Sequence, residues 1–163
     1  MTQCSSCGGF CKKSGCERNN LTKEPMIFFI DTEFNSFKGE LISMALVGED
    51  GCEFYGVLNC ANPDPWVAQH VMPVLGKPPM MKVDMQRQLE YFLSAYASIH
   101  IIADWPEDIM HFCDFLITGP GQRINTPALS MEIRRDLDAV SAVPHNALED
   151  AKAIRKLYLE MTS

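Results

Sequence analysis

"MIFFIDTEF", residues 26–34, sets an apolar run directly against two carboxylates. Met26 to Ile30 are too few for a membrane span and suit a short strand buried at the centre of a sheet. Side chains alternate along an extended chain, so Asp31 and Glu33, two residues apart, point to the same face. The strand therefore presents a pair of like charges beside its buried end. Such a pair either caps a strand in water or gathers around a hard cation with oxygen ligands, Mg²⁺ or Mn²⁺. Alone, the spacing favours the first reading.

Working outward, "ELISMALVG" (40–48) and "CEFYGVL" (52–58) are two β-rich runs separated by "EDG", a hairpin-turn signal. With the first strand they predict a three-strand meander. "WVAQHVMPVL" (66–75) suits a short helix interrupted at Pro73, and Met85, Leu89, Phe92, Leu93 and Tyr96 recur at helical spacing between Asp84 and Ala97. "HIIAD" (100–104) is a fourth strand, and Pro106 opens a helix over "EDIMHFCDFLI" (107–117). A loop at "GPGQ" (119–122), a short strand around Arg123 to Thr126 and a last helix from about Asn146 to Met161 complete the pattern. The order predicts an α/β fold: a ribonuclease H-like mixed sheet, with a three-strand antiparallel meander plus two further strands, and helices on both faces. Topology by itself leaves function open.

At 163 residues the chain suits one domain with a small appendage. No apolar run approaches the ~20 residues of a membrane helix, and the N-terminus lacks the apolar segment of a secretory signal, so a soluble cytoplasmic protein is expected. The formal net charge of −7 argues against broad electrostatic binding to duplex nucleic acid. It does not exclude a nucleic-acid enzyme whose acids hold cations, because bound cations invert the local field. Cys52, Cys60 and Cys113 stand in or beside apolar segments and are read as small core residues. Cys4, Cys7, Cys11 and Cys16 form a C-x2-C-x3-C-x4-C cluster among glycines. Four thiolates at that spacing suit a tetrahedral Zn²⁺; a metal-free tail is the other reading, and both stay open. Residues 1–25 are thus a Cys-rich segment and linker, and 26–163 the domain.

Two further stretches carry carboxylates. In "IIADWPEDIMHF" (101–112) a strand ends at Asp104 and Asp108 stands in the first turn of a helix. Each has an ordinary explanation: Asp104 as a helix cap, Asp108 as an acid favoured by the helix dipole. In "AVPHNALEDAKAIRKLYLE" (142–160) His145 stands at a helix mouth, and Asp150 lies between apolar Leu148 and Ala151. An aspartate partly facing a core is costly unless paired, and a metal shared with Asp31 and Glu33 would remove that cost. His145 is suited to take a proton from water.

In combination, "FIDTEF", "DIMHF" after "HIIAD", and "PHNALEDA" resemble the DEDDh branch of the DnaQ-like 3′–5′ exonuclease superfamily. Within that branch, "DTEF", "GELISMALV", "EFYGV" and "WVAQHVMPVL" are most similar to the small exoribonuclease group that includes ribonuclease AS. The resemblance covers residues 26 to about 161 and says nothing of the N-terminal cysteines. It implies Asp31, Glu33, Asp108 and Asp150 as ligands of two Mg²⁺ or Mn²⁺ ions, with Asp104 competing for the place of Asp108, and His145 as general base. It further implies hydrolysis of single-stranded RNA, or DNA, from the 3′ end to nucleoside 5′-monophosphates, by a chain that pairs into a homodimer. Phe34 and Trp105 are candidates to stack on a base. Arg134, Arg135, Lys152, Arg155 and Lys156 are candidate phosphate contacts, most of them read as solvated helix faces. An oligonucleotide- or DNA-directed exonuclease, or a silent nucleic-acid-binding module on the same fold, remain alternatives.

Overall fold

The computed structural model describes residues 24–163. The Cys4, Cys7, Cys11 and Cys16 cluster lies outside the described residues, and so does most of the linker. Among the described residues, seven strands and four α-helices follow one another: β1 (Met26–Phe34), β2 (Leu41–Gly48), β3 (Glu53–Val57), α1 (Pro65–His70), α2 (Lys82–Leu93), β4 (Ser98–Ala103), α3 (Pro106–Leu116), β5 (Ile117–Gly119), β6 (Gln122–Arg123), β7 (Ala128–Ile133) and α4 (Ala147–Thr162). The main sheet has the order β3-β2-β1-β4-β7, with β1 and β2, and β2 and β3, antiparallel, and β4 parallel to both β1 and β7. This is the mixed α/β sheet expected, and it is consistent with a ribonuclease H-like fold.

Central β1 is buried on both faces, which is why its sequence reads as an unbroken apolar run rather than an alternation. Phe28 and Ile30 pack with Met85, Leu89 and Phe92 of α2 and with Phe112 and Phe115 of α3. Phe29 points the other way, into a cluster with Ile102, Leu137 and Ile154 of α4. Helices thus cover both faces. Asn146 starts α4: its side chain accepts from the Glu149 N–H (3.1 Å) and donates to the Val74 carbonyl (2.7 Å), fixing where the helix begins.

Two expectations need correction. The last sheet strand lies at Ala128–Ile133, not Arg123–Thr126; residues 117–123 form a separate two-strand hairpin instead. β7 is an edge strand with mostly exposed side chains, so it lacks the apolar pattern that marks a buried strand. Cys52 and Cys60 are buried as expected, but Cys113 is exposed on α3, with its Sγ 3.8 Å from the Met131 sulfur.

Candidate active site

The parallel pairing of β1 with β4 ends at Ile30 opposite Ala103, so Asp31, still within β1, stands beside Asp104, the first residue past β4. Asp31 and Glu33 also continue the face on which Phe29 meets α4. On α4, Asp150 stands one turn before Ile154 and so shares its side of the helix. Strand alternation and helical period converge. Carboxylate oxygens of Asp31, Glu33 and Asp150 lie within 4.8 Å of one another. A second trio, Asp31, Asp104 and Asp108, meets the same limit. Asp31 belongs to both.

Asp108 stands in the first turn of α3 and is 2 % exposed. Its Oδ1 accepts from the Thr32 N–H (3.0 Å) and the Thr32 hydroxyl (2.6 Å), which ties the helix to the back of β1. Asp104 is not the helix cap that its position allowed: Trp105 occupies that place, without a side-chain cap bond. Asp104 and Asp108 stand together in the second trio. Both reach Asp31.

His145 adopts a left-handed backbone, φ 67°, which is uncommon for a residue with a Cβ. Its N–H donates to Asp150 Oδ2 at 3.0 Å, so the turn that holds the histidine also orients the acid. The imidazole meets the Trp66 ring edge-on, centroids 5.0 Å apart, and Trp66 in turn stacks on His70 at 4.5 Å.

The electrostatics are those of an anionic cluster in a dry corner. Burial raises the Asp31 carboxyl well above its ordinary range, and the charges of Asp108, Glu33, Asp150 and Asp104 push it further. Burial, then Asp150 and Asp108, take Glu33 up to about 8. Burial raises Asp108 to about 7, against the pull of its Thr32 bonds. Asp104 and Asp150 are raised by burial too. Asp31 Oδ2, buried, has no hydrogen-bond partner among the described residues. A buried oxygen without a donor costs several kcal/mol unless something cationic meets it. An all-carboxylate donor set with that orphan oxygen at its centre fits hard divalent cations.

A cleft of about 490 Å³ opens in front of the acids. Phe34 and Trp105, the two stacking candidates, both line it. Phe34 leans on His111, with centroids 4.8 Å apart, and Trp105 carries the Arg135 guanidinium 4.3 Å from its ring. Trp66 and Phe37 also line the cleft, and sequence reasoning passed over both. The signal available was an apolar ring in a polar, turn-rich setting: Phe37 is 76 % exposed and Trp66 51 %. Most of the candidate phosphate contacts are engaged elsewhere. Arg134 is bound by Asp136, Lys152 by Glu149 and Glu53, Lys156 by Glu160, and Arg155 by the carbonyls of Gly48 and Glu49. Arg135 alone of the five rests on cleft-lining residues.

No family model matches the chain. Two curated proteins from strains of Mycobacterium tuberculosis, each named 3′–5′ exoribonuclease, are 41 % identical to it over 160 residues, covering 85 % of this chain and 94 % of the relative. At that identity and coverage the two share ancestry along nearly their whole length. The chain belongs to the 3′–5′ exoribonuclease family that those mycobacterial proteins represent.

Proposed function

We propose that the protein is a DEDDh-type, DnaQ-like exonuclease that hydrolyses single-stranded RNA from its 3′ end in the presence of two divalent cations. The observation that carries this reading is the pair of carboxylate trios sharing Asp31. In this reading Asp31, Glu33 and Asp150 would hold one cation, and Asp31, Asp104 and Asp108 would hold the other. Bound there, Mg²⁺ or Mn²⁺ supplies charge neutralisation at the scissile phosphate and at the departing 3′ oxygen. The chain's own groups do the rest. The acids fix both cation positions before substrate arrives, the aromatic cleft takes the terminal base, and His145 accepts the proton of the attacking water. Water oxygen bonds to phosphorus as the bond to the 3′ oxygen of the preceding nucleotide breaks. A nucleoside 5′-monophosphate leaves.

A panel of 3′-tailed RNA, DNA of the same sequence and dinucleotides, each with Mg²⁺ or Mn²⁺, tests the assignment. Stepwise release of 5′-monophosphates, fastest from RNA, is expected. Preference for dinucleotides or DNA would reassign the substrate, and no turnover of any of them would point to a binding module.

A further inference from the structure

The described domain is poor in usable positive charge. Residues 1–23 hold Lys12, Lys13, Arg18 and Lys23 against Glu17, which leaves ten cations against twenty acids in residues 24–163. Five of those ten form no ion pair among the described residues: Lys38, Lys77, Arg123, Arg135 and Arg155. Lys77 and Arg155 are spent on backbone carbonyls, and Arg123 lies in the β5–β6 hairpin. Arg135 stands apart because of what it touches. One guanidinium N–H donates to the Asp104 carbonyl at 2.6 Å, and the guanidinium lies 4.3 Å from the centre of the Trp105 ring. Asp104 and Trp105 both line the cleft.

The chain delivers Arg135 there by register. β7 runs parallel to β4, with Ile133 opposite Ala103, and the Arg134 N–H continues the pairing onto the Ala103 carbonyl at 2.7 Å. The strand ends there: Arg135 and Asp136 form a turn closed by the Leu137 N–H on the Arg134 carbonyl at 3.1 Å, and the two arginines face different partners. Arg134 turns to Asp136 and the Tyr158 ring of α4, while Arg135 turns to Trp105. Charge counting shows why a cation is needed at this place. Five ionised carboxylates around two divalent cations leave one net negative charge, and each substrate phosphodiester adds another. A guanidinium has five donors in a fixed fork, and the Asp104 carbonyl uses one.

We propose that Arg135 is the phosphate-binding residue of this site, taking a non-bridging oxygen of the RNA backbone at the rim of the cleft. The assignment rests on the nuclease reading above and deepens it. It predicts that Arg135→Ala raises KM for a single-stranded RNA by about tenfold or more while kcat stays within about threefold, with Arg135→Lys in between. The dependence of log kcat/KM on log salt should become shallower by about 0.7, the value for one phosphate contact on a single strand. The Mg²⁺ concentration for half-maximal activity should be unchanged. Unchanged KM and salt slope would overturn the proposal. So would a fall in kcat with a raised Mg²⁺ requirement, which would make Arg135 a positioning residue for Asp104. Anisotropy of a fluorescein-labelled RNA in Ca²⁺ repeats the comparison on binding alone, with the same weakening and salt slope expected. That measurement stays legible even where the wild-type protein cuts no RNA, so failure of the nuclease reading and failure of the Arg135 assignment are told apart.

Discussion

Asp31 divides the acidic cluster into two halves that are built differently. On one side, Asp104 leaves the end of β4 and Asp108 is clamped to Thr32 by two hydrogen bonds, so strand and helix fix the acids directly. On the other, Asp150 is held through the backbone of His145, a residue in a left-handed turn at the end of the long β7–α4 connection, and Glu33 stands at the irregular end of β1 pairing. The first half is rigid by construction, because sheet register and a buried helix turn have few alternatives. The second hangs on the turn at His145, and it is the half beside the proposed proton acceptor.

Removing the shared residue should break both halves together. Asp31→Asn is expected to lower turnover by about 10⁴-fold or more, since neither cation position survives it. The fold should persist, because the substitution also removes a buried, mutually repelled charge; circular dichroism and thermal melting would show an unchanged or raised Tm. Retained activity with a native fold would sink the nuclease reading.

His145 tests the second half alone. Glycine adopts φ 67° at no steric cost, so His145→Gly keeps the turn and the N–H to Asp150 while deleting the ring. A loss of about 10²–10⁴-fold in kcat is expected, with the Mn²⁺ affinity, read calorimetrically, within about threefold of wild type. A large loss of metal affinity would instead mean that the imidazole orients Asp150 rather than handling a proton.

The two halves also differ in how far sequence reveals them. Asp31, Glu33 and Asp150 are legible because their placement follows from local periods: alternation on β1, and the apolar neighbours that turn one face of α4 inward. Asp108 is legible as a first-turn acid once a helix is placed behind Pro106. The membership of Asp104 is not, since it depends on the parallel pairing of Ile30 with Ala103, a long-range register that no local pattern encodes. Trp66 reaches His145 only because α1 folds over the sheet, another contact between distant segments. β7 lies a few residues beyond the strand expected, because an exposed edge strand needs no apolar signature. The resemblance to the exonuclease superfamily supplied the pairing of distant motifs that periodicity could not.

Proton linkage offers a measurement on the whole cluster without substrate. Glu33 goes from 4.5 to about 8 and Asp108 from 3.8 to about 7 on folding. The folded, metal-free protein therefore binds more protons than the unfolded chain across that window. Its stability is greatest below pH ~4 as far as these groups are concerned, and it falls as pH rises toward 8. Thermal melts of metal-free protein should show Tm declining between pH 5 and pH 8, and added Mn²⁺ should restore more of it at pH 8, by ~5 °C or about 2 kcal/mol for a domain of this size. A metal-free Tm that rises through this window would contradict the buried, repelling arrangement.

The smallest effect should come from behind the rigid half. Thr32→Val keeps the shape of the side chain, and the main-chain N–H still reaches Asp108, but the 2.6 Å hydroxyl bond disappears. That bond favours the ionised carboxylate, so its loss should push Asp108 further up and weaken cation binding by about tenfold, within the range for groups that support a metal ligand. Because protonation of Asp108 competes with the cation, the defect should shrink as pH rises from 7 to 9. Activity should recover at high Mg²⁺, which Asp31→Asn cannot do. If Thr32→Val loses metal affinity equally at every pH, the hydroxyl acts by holding Asp108 in place rather than by tuning its charge. The rigidity of that half would then reside in one side-chain contact instead of the strand.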